Sequence, residues 1–430
     1  MRVFRAAVLA TTTLAIAVPA VGQGIPRAQS PEEVGFVATR LKRLSDRIEE
    51  GVRSNEIPGA VVLIVRNGKI VMFDAFGFRD KEAKAQMKTD SIFRIASMTK
   101  PITSVAAMML AEEGKLTLAD KVSRFIPAFA DTKVSVSTRK ADGTVELGLE
   151  PQFRPMTVHD LLRHTSGLTY GAAGSNPVKQ SYLDMKVMVP DQTNEQMADK
   201  LAKLALLYQP GTTWEYSMST DVLGRVIEVA SGMPLDKFIE ERITKPLKMG
   251  DTGFDVGPEK KDRGAKPQKE GPKGEVPPIP DVTLKTTWKS GGAGLVSTAA
   301  DYARFIQMFA NGGQVDGARL LSRKSIDLMT ADHLPPDIRM GDDMWRLEAL
   351  EPSPRLGQGF GLGFAIRNEQ GRSPLHGSPN DYYWSGTWGT YFWHDPRERL
   401  YVVFMMQSSA AGLRYSYLMR ELVYQALIGN

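Results

Sequence analysis

Two hairpin signals stand near opposite ends of the chain, and together they limit the folds open to it. Near the N-terminus, Ala60-Val61-Val62-Leu63-Ile64-Val65 is followed by Arg66-Asn67-Gly68-Lys69 and then by Ile70-Val71-Met72-Phe73. Asn-Gly between two β-rich runs is a strong hairpin signal, because both residues tolerate the positive φ of a tight turn. Near the C-terminus, the runs 389–394 and 400–406 flank Asp395-Pro396-Arg397-Glu398, which reads as a proline-initiated turn. A further strand is expected over residues 361–366. Strands that arrive as hairpins pair antiparallel. The stretch between them, residues 119–281, reads as helical and rich in loops. The sequence therefore predicts an α/β fold of the α+β type, with an antiparallel sheet built from both ends of the chain and an inserted, mainly helical lobe. A chain of 430 residues exceeds one hydrophobic core, which agrees with two lobes. The expected division gives residues 30–118 and 282–430 to the sheet lobe and 119–281 to the helical one.

Helices are expected on either side of the sheet. Residues 31–51 carry Val34, Phe36, Leu41, Leu44 and Ile48 at helical spacing. Residues 415–428 read as a closing helix. In the middle, 158–163, 193–207, 219–231 and 234–243 read as helices, and Ser297 or Thr298 is placed to cap another. Residues 257–280, with Lys260-Lys261, Pro267, Pro272 and Pro277-Pro278, read as an exposed loop.

The chain has no cysteine, which excludes disulfides, thiolate metal sites, a cysteine nucleophile and a lipidated N-terminal cysteine. The net charge is +5, but lysines and arginines are scattered, so no nucleic-acid partner is expected. Met1-Arg2-Val3-Phe4-Arg5 is a short basic start, residues 6–18 are apolar, and Pro19-Ala20-Val21-Gly22 offers small residues for cleavage before Gln23. This pattern predicts a signal peptide over residues 1–22, and hence a periplasmic or secreted protein with no stable membrane anchor after cleavage. No second apolar run is long enough to span a bilayer.

The stretch with the most chemical content is Ser97-Met98-Thr99-Lys100, which precedes an apolar run over 105–111. A serine and a lysine three apart share one helical face, so an amine comes within reach of a hydroxyl. A hydroxyl is a poor nucleophile without an adjacent base, and a lysine partly neutral through burial and nearby positive charge can serve. Alone, the pattern also fits a solvated serine and a surface lysine; the apolar setting favours a lysine with a partner or a task. Pro101 fits only the first helical turn and biases Lys100 away from helical geometry. Ser97 is thus expected at or just before the N-cap, with the residues that follow forming a helix ended by Gly114.

A Gly-x-Ser-x-Gly elbow is absent, and the histidines (159, 164, 333, 376 and 394) form no evident triad pattern. Other motifs then carry the argument. Gly211-Thr212-Thr213-Trp214-Glu215-Tyr216-Ser217 resembles the tyrosine motif of the serine β-lactamase and penicillin-binding-protein superfamily. Trp384-Ser385-Gly386-Thr387 resembles the Trp-x-Gly variant of the lactamase Lys-Thr-Gly motif, as in the β-lactamase-like (family VIII) carboxylesterases. Leu161-Leu162-Arg163-His164-Thr165-Ser166-Gly167-Leu168, Ser290-Gly291-Gly292-Ala293-Gly294-Leu295, and Gly389-Thr390-Tyr391-Phe392 with Asp395-Pro396 are also similar to that family. The likeness runs from about residue 31 to the C-terminus, and implies a β-lactamase/D,D-peptidase-like fold.

The resemblance implies roles. Ser97 would attack an acyl carbon, Lys100 would take or share its proton, and Tyr216 would act as base and then acid. The N–H groups of Ser97 and Thr387 would form the oxyanion hole, with Thr387 on an edge strand. Trp384, Ser385 and Gly386 would line the substrate pocket, and Gly386 would admit the substrate closely. Each has a plainer reading: Tyr216 as a core tyrosine after a Pro-Gly turn, Trp384 as part of an aromatic strand. His164 reads as structural, and Trp214 and Trp388 as pocket wall or core. Two departures stand out. Met218 replaces the asparagine of the lactamase tyrosine motif, and Trp384 replaces a lysine that could pair with a substrate carboxylate. Both point toward neutral esters: a serine hydrolase cleaving small, short-chain carboxylic esters, without metal or cofactor. Alternatives are a β-lactamase or D,D-peptidase, an acyltransferase, and a non-catalytic envelope binding protein.

Overall fold

The computed structural model describes residues 24–139, 145–171, 176–271 and 273–429; the expected leader over residues 1–22 lies outside them. Eight strands form the main sheet: β1 (Gly59–Arg66), β2 (Lys69–Asp80), β3 (Ala85–Gln86), β4 (Gln358–Phe360), β5 (Ala365–Arg367), β6 (Tyr382–Ser385), β7 (Tyr391–Asp395) and β8 (Leu400–Met406). Their order is β4-β5-β6-β7-β8-β1-β2-β3, and every pairing is antiparallel. The two ends of the chain meet where β8 pairs with β1. The helices are α1 (Ala38–Arg53), α2 (Thr99–Glu112), α3 (Val158–Leu162), α4 (Pro177–Asp184), α5 (Asn194–Ala202), α6 (Ser219–Ser231), α7 (Leu235–Ile239), α8 (Ala299–Ala310), α9 (Arg323–Met329) and α10 (Gly412–Tyr424).

Every residue of β1 and of β8 is buried. Successive strand residues point to opposite faces, so both faces of the sheet must be covered. Ring contacts show by what. Tyr415 of α10 stacks on Phe404, while Tyr302 of α8 packs on Phe392. Phe392 pairs with Val403, the neighbour of Phe404, so the two contacts lie on opposite faces. Helix α1 buries Leu41, Leu44 and Ile48 and joins α10. Their approach requires Gly51: a Cβ there would lie 1.8 Å from the Tyr415 hydroxyl. Away from the sheet, α6 is the centre of the helical packing, touching α2, α3, α5 and α7.

Several expectations need correction. The strand expected over 361–366 is instead a hairpin, with β4 and β5 joined by a turn. Gly363 at φ +103° and Gly361, where a Cβ would lie 2.3 Å from the Met329 carbonyl, make that turn. The stretch 119–281 contains an antiparallel pair, Val134–Arg139 with Val145–Glu150. The first helix breaks at Gly35, φ +78°, so a 3-10 turn (Pro31–Val34) precedes α1. The helix expected over 193–207 stops at Ala202, and that over 234–243 becomes a π-turn at Glu240–Thr244. The closing helix spans Gly412–Tyr424 rather than 415–428. Lys100 is helical despite Pro101, because proline falls in the first turn, where its missing N–H costs nothing. Thr298, rather than Ser297, caps α8.

Asp160 ties α3 to the turn that carries His164. It is fully buried and accepts from both Arg154 Nη atoms (2.6 and 2.8 Å), from Thr157 and from Thr165 Oγ1. Burial pushes its carboxyl up, but the bonds from Arg154 and Thr157 outweigh this and hold the pKa down at about 2, against an ordinary 3.8. The folded value lies below the unfolded one, so the stabilisation is complete above the ordinary carboxylate pKa. It is lost as pH falls through about 2. Linkage makes it about 2 kcal/mol. Asp160→Asn is expected to be less stable near neutral pH by at least that amount, with the gap to the native chain narrowing on acidification. Urea unfolding of both proteins across this pH range checks it; a gap independent of pH would refute it.

Candidate active site

The chain enters the site through Phe93–Arg94, which pairs with Val296–Ser297. The Ile95 N–H then donates to the Leu295 carbonyl (3.1 Å). Ala96 is forced to φ +43°, an uncommon conformation for a residue with a Cβ. A 3-10 turn (Ala96–Met98) follows and runs into α2 at Thr99. Ser97 therefore sits just ahead of the helix, partly exposed, while Lys100 is buried in its first turn.

The Lys100 ammonium donates to Ser97 Oγ at 3.1 Å and to the Gly292 carbonyl at 2.9 Å. It lies 4.5 Å from the ring centroid of Tyr216 and 5.8 Å from that of Tyr170. Aromatic faces attract a cation through the ring quadrupole, and the attraction grows as water is removed. Behind Gly292 stands Asp221 of α6, which accepts from Ser290 Oγ (2.5 Å) and from the Gly292 N–H (3.1 Å). Burial pushes the Asp221 carboxyl up, against the pull of Lys100. Sequence reasoning missed both Asp221 and the Gly292 carbonyl; the Ser290–Leu295 motif was their only signal.

Tyr216 follows the short strand Thr213–Trp214. Its hydroxyl accepts from the Trp384 indole N–H at 3.0 Å, and its backbone N–H points at Met344 Sδ, 3.3 Å away. Trp214 is buried and stacks 6.0 Å behind it, and the His164 ring lies 4.9 Å away. His164 is buried at φ +58°, with Nδ1 3.3 Å from Ser217 Oγ. Burial, and then Lys100, hold its pKa well below the ordinary value, so the ring is neutral. Met218 is buried in the hydrophobic core.

Trp384 and Ser385 close β6, which lies between β5 and β7 and is not an edge strand. Thr387 is consequently not on an edge strand; it is exposed in the turn from β6 to β7. That turn is pinned to the serine. The Gly386 N–H donates to the Thr390 carbonyl (2.7 Å), and Thr390 Oγ1 donates to the Ile95 carbonyl (3.2 Å). A Cβ on Gly386 would lie 2.3 Å from Thr390 Oγ1 and 2.4 Å from the Ile95 carbonyl. The glycine is thus needed to dock β6 against the Ser97 turn, a reason different from the close substrate approach expected of it. Trp384 is more than an apolar wall, since its N–H holds the tyrosine. The structure brings together Ser97, Lys100, Tyr216 and Trp384. It places His394 against the Tyr382 hydroxyl (2.6 Å) and stacks His376 on Tyr424, both outside this cluster. Among the described residues no group of three or more histidines or carboxylates is arranged to hold a metal ion.

The chain belongs to the Beta-lactamase family, which it matches over residues 44–421. It is a serine hydrolase of the β-lactamase and penicillin-binding-protein fold. It is 35% identical to "Protein Rv1367c" of Mycobacterium tuberculosis over 367 residues, 84% of this chain and 88% of that one. It is 33% identical to "Esterase EstB" of Burkholderia gladioli over 293 residues, 63% of this chain and 70% of that one. The solved structure of "EstCE1, a hydrolase with promiscuous acyltransferase activity" superposes with a TM-score of 0.73 at 27% identity, covering 90% of this chain and 99% of the other.

Gly386→Ala is expected to force the β6–β7 turn away from Ile95. Turnover of a short p-nitrophenyl ester should fall by roughly tenfold to a hundredfold, since small displacements of reacting groups cost about that much. Steady-state kinetics, with circular dichroism to confirm the fold, would show it. Unchanged turnover would mean that the Ser97 turn does not depend on this docking.

Proposed function

We propose that the protein is an exported esterase that cleaves neutral carboxylic esters through an acyl-enzyme on Ser97. The observation that carries this reading is the 3.1 Å contact of Lys100 Nζ with Ser97 Oγ beneath the Tyr216 ring. In the proposed first step, Ser97 Oγ bonds to the acyl carbon and its proton passes to the Lys100–Tyr216 pair, which acts as base with one proton fewer than an ammonium and a phenol hold together. The carbon–oxygen bond to the alcohol then breaks, and Tyr216 returns a proton to the leaving oxygen. Water repeats the sequence on the acyl-enzyme and releases the acid. The N–H groups of Ser97 and Thr387 are the proposed oxyanion donors; losing one such donor typically costs a hundredfold to a thousandfold in turnover. Export follows from the leader pattern of residues 1–22. No helix among the described residues is long and apolar enough to cross a membrane.

Substrate class follows from charge. A site for β-lactams or peptide C-termini gains from a cation that pairs with a carboxylate. Here Trp384 stands at the lysine position and is buried, offering a neutral N–H and an apolar face. Trp384, Ser385 and Gly386 are the proposed pocket residues on this side. An acyltransferase reading is favoured by the likeness to EstCE1 and differs only in that an alcohol, rather than water, accepts the acyl group.

Incubation with a fluorophosphonate, followed by peptide mapping, is expected to give one adduct, on Ser97. Ser97→Ala should abolish labelling and reduce ester turnover by at least about a thousandfold. An adduct on another serine, or full activity in Ser97→Ala, would overturn the assignment. Nitrocefin turnover exceeding ester turnover would restore the lactamase reading, and an ester product that predominates when an alcohol is added would establish acyl transfer.

A further inference from the structure

A buried charge cluster stands immediately beside Tyr216, on the side away from Trp384 in sequence, and none of the steps above uses it. Glu215 is almost fully buried. Its Oε1 accepts from Thr169 Oγ1 (2.6 Å) and from the ammonium of Lys179 (3.0 Å). Lys179 belongs to α4, is itself buried, and also reaches Asp343 Oδ2 at 2.8 Å. Asp343 precedes Met344, whose sulfur faces the Tyr216 N–H. Three segments distant in sequence are thus joined by one ammonium: α4, the Glu215–Tyr216 step, and the strip 339–344.

That strip runs alongside the tyrosine. Arg339 and Met340 pair in parallel with Thr213 and Trp214, and the Gly341 N–H donates to the Trp214 carbonyl (2.9 Å). Glu215 Oε2 has no hydrogen-bond partner among the described residues. It is pressed against Gly341, where a Cβ would lie 1.8 Å from it. The carboxylate therefore has one polar anchoring edge, and Lys179 is the charge on that edge. Burial works against the Lys179 ammonium, but the bond to Asp343 and the charge of Glu215 outweigh it and raise its pKa. Burial also pushes the Glu215 carboxyl up, despite Thr169 and Lys179. A buried carboxylate that loses its cation becomes strongly unfavourable and must move or take up a proton, whereas loss of both charges costs far less.

Resting on the proposed role of Tyr216, we infer that Lys179 is a positioning residue for that tyrosine, clamping Glu215 and Asp343 so that the Tyr216 ring stays over Lys100 and Ser97. Lys179 touches no reacting atom. Its effect should fall on turnover and not on substrate binding, because the tyrosine acts in the proton transfers.

The test uses the full-length mature enzyme and a short p-nitrophenyl ester. Lys179→Met is expected to lower kcat by about tenfold to a hundredfold with KM changed less than about twofold, the loss typical of a misplaced catalytic group. Lys179→Met/Glu215→Gln should recover most of that loss, since the stranded charge is gone. If Lys179→Met fails to fold, Gly341→Ala displaces Glu215 from its other side without removing a charge, and should give the same kcat loss. A lowered melting temperature with native kcat, a double variant no better than the single one, or native kcat in Gly341→Ala would each overturn the inference. Tyr216→Phe is measured alongside. Native turnover in that variant would refute the role of Tyr216 itself; a large loss there, with none in Lys179→Met, would refute only the clamp.

Discussion

The ammonium of Lys100 is the interaction on which the arrangement of the site depends. It is buried and contacts a hydroxyl, a backbone carbonyl and two aromatic faces, with the Asp221 carboxyl within its electrostatic reach. Each contact comes from a different part of the chain: Ser97 from the turn before α2, Gly292 from the loop before α8, Tyr170 and Tyr216 from the helical middle. A buried cation without such partners would be costly. The segments that supply them are therefore fixed relative to α2 by the same charge. Asp221 extends the arrangement one step further, holding the Gly292 peptide from behind while its own carboxyl remains buried.

The opposite wall is set by sterics rather than charge. The turn from β6 to β7 meets the Ser97 turn through the Ile95 carbonyl, which takes both the Thr390 hydroxyl and the Met98 N–H. Only a residue without a Cβ fits at 386, and Ala96 is pushed to positive φ at the same junction. Backbone strain of this kind persists where the surroundings over-determine it. Here a sheet strand and a helix start converge on one short turn, and the serine is on that turn.

What could be read from the sequence follows how local each feature is. Ser97 and Lys100 were legible because an i, i+3 pair needs only one helical turn to meet. The hairpin of β1 and β2 was legible because Asn67-Gly68 states its own turn geometry, and the helix 219–231 because its periodicity is strong. The Trp384–Tyr216 bond joins residues 168 apart, and no local pattern contains it. The Gly292 carbonyl was invisible for another reason: a backbone acceptor is chemically the same at every residue. The strand expected over 361–366 is broken by Gly361 and Gly363, which turn the chain between β4 and β5. Val134–Arg139 is a strand within the stretch expected to be helical, and Val134, Ser135, Val136 and Ser137 alternate with period two.

Trp384 does more than supply an apolar surface. A lysine at that position would bring a second cation toward the Tyr216 ring, against which Lys100 already lies. An indole N–H holds the tyrosine oxygen without adding charge, so Lys100 can keep its position among carbonyl and ring partners. The remaining buried cation near the tyrosine, Lys179, is matched by Glu215 and Asp343 and contributes no net positive charge. Lys100, which also pulls on the buried Asp221 carboxyl, is the cation in contact with Ser97 Oγ. The proposed uncharged ester would gain nothing from a further cation, whereas a substrate bearing a carboxylate would.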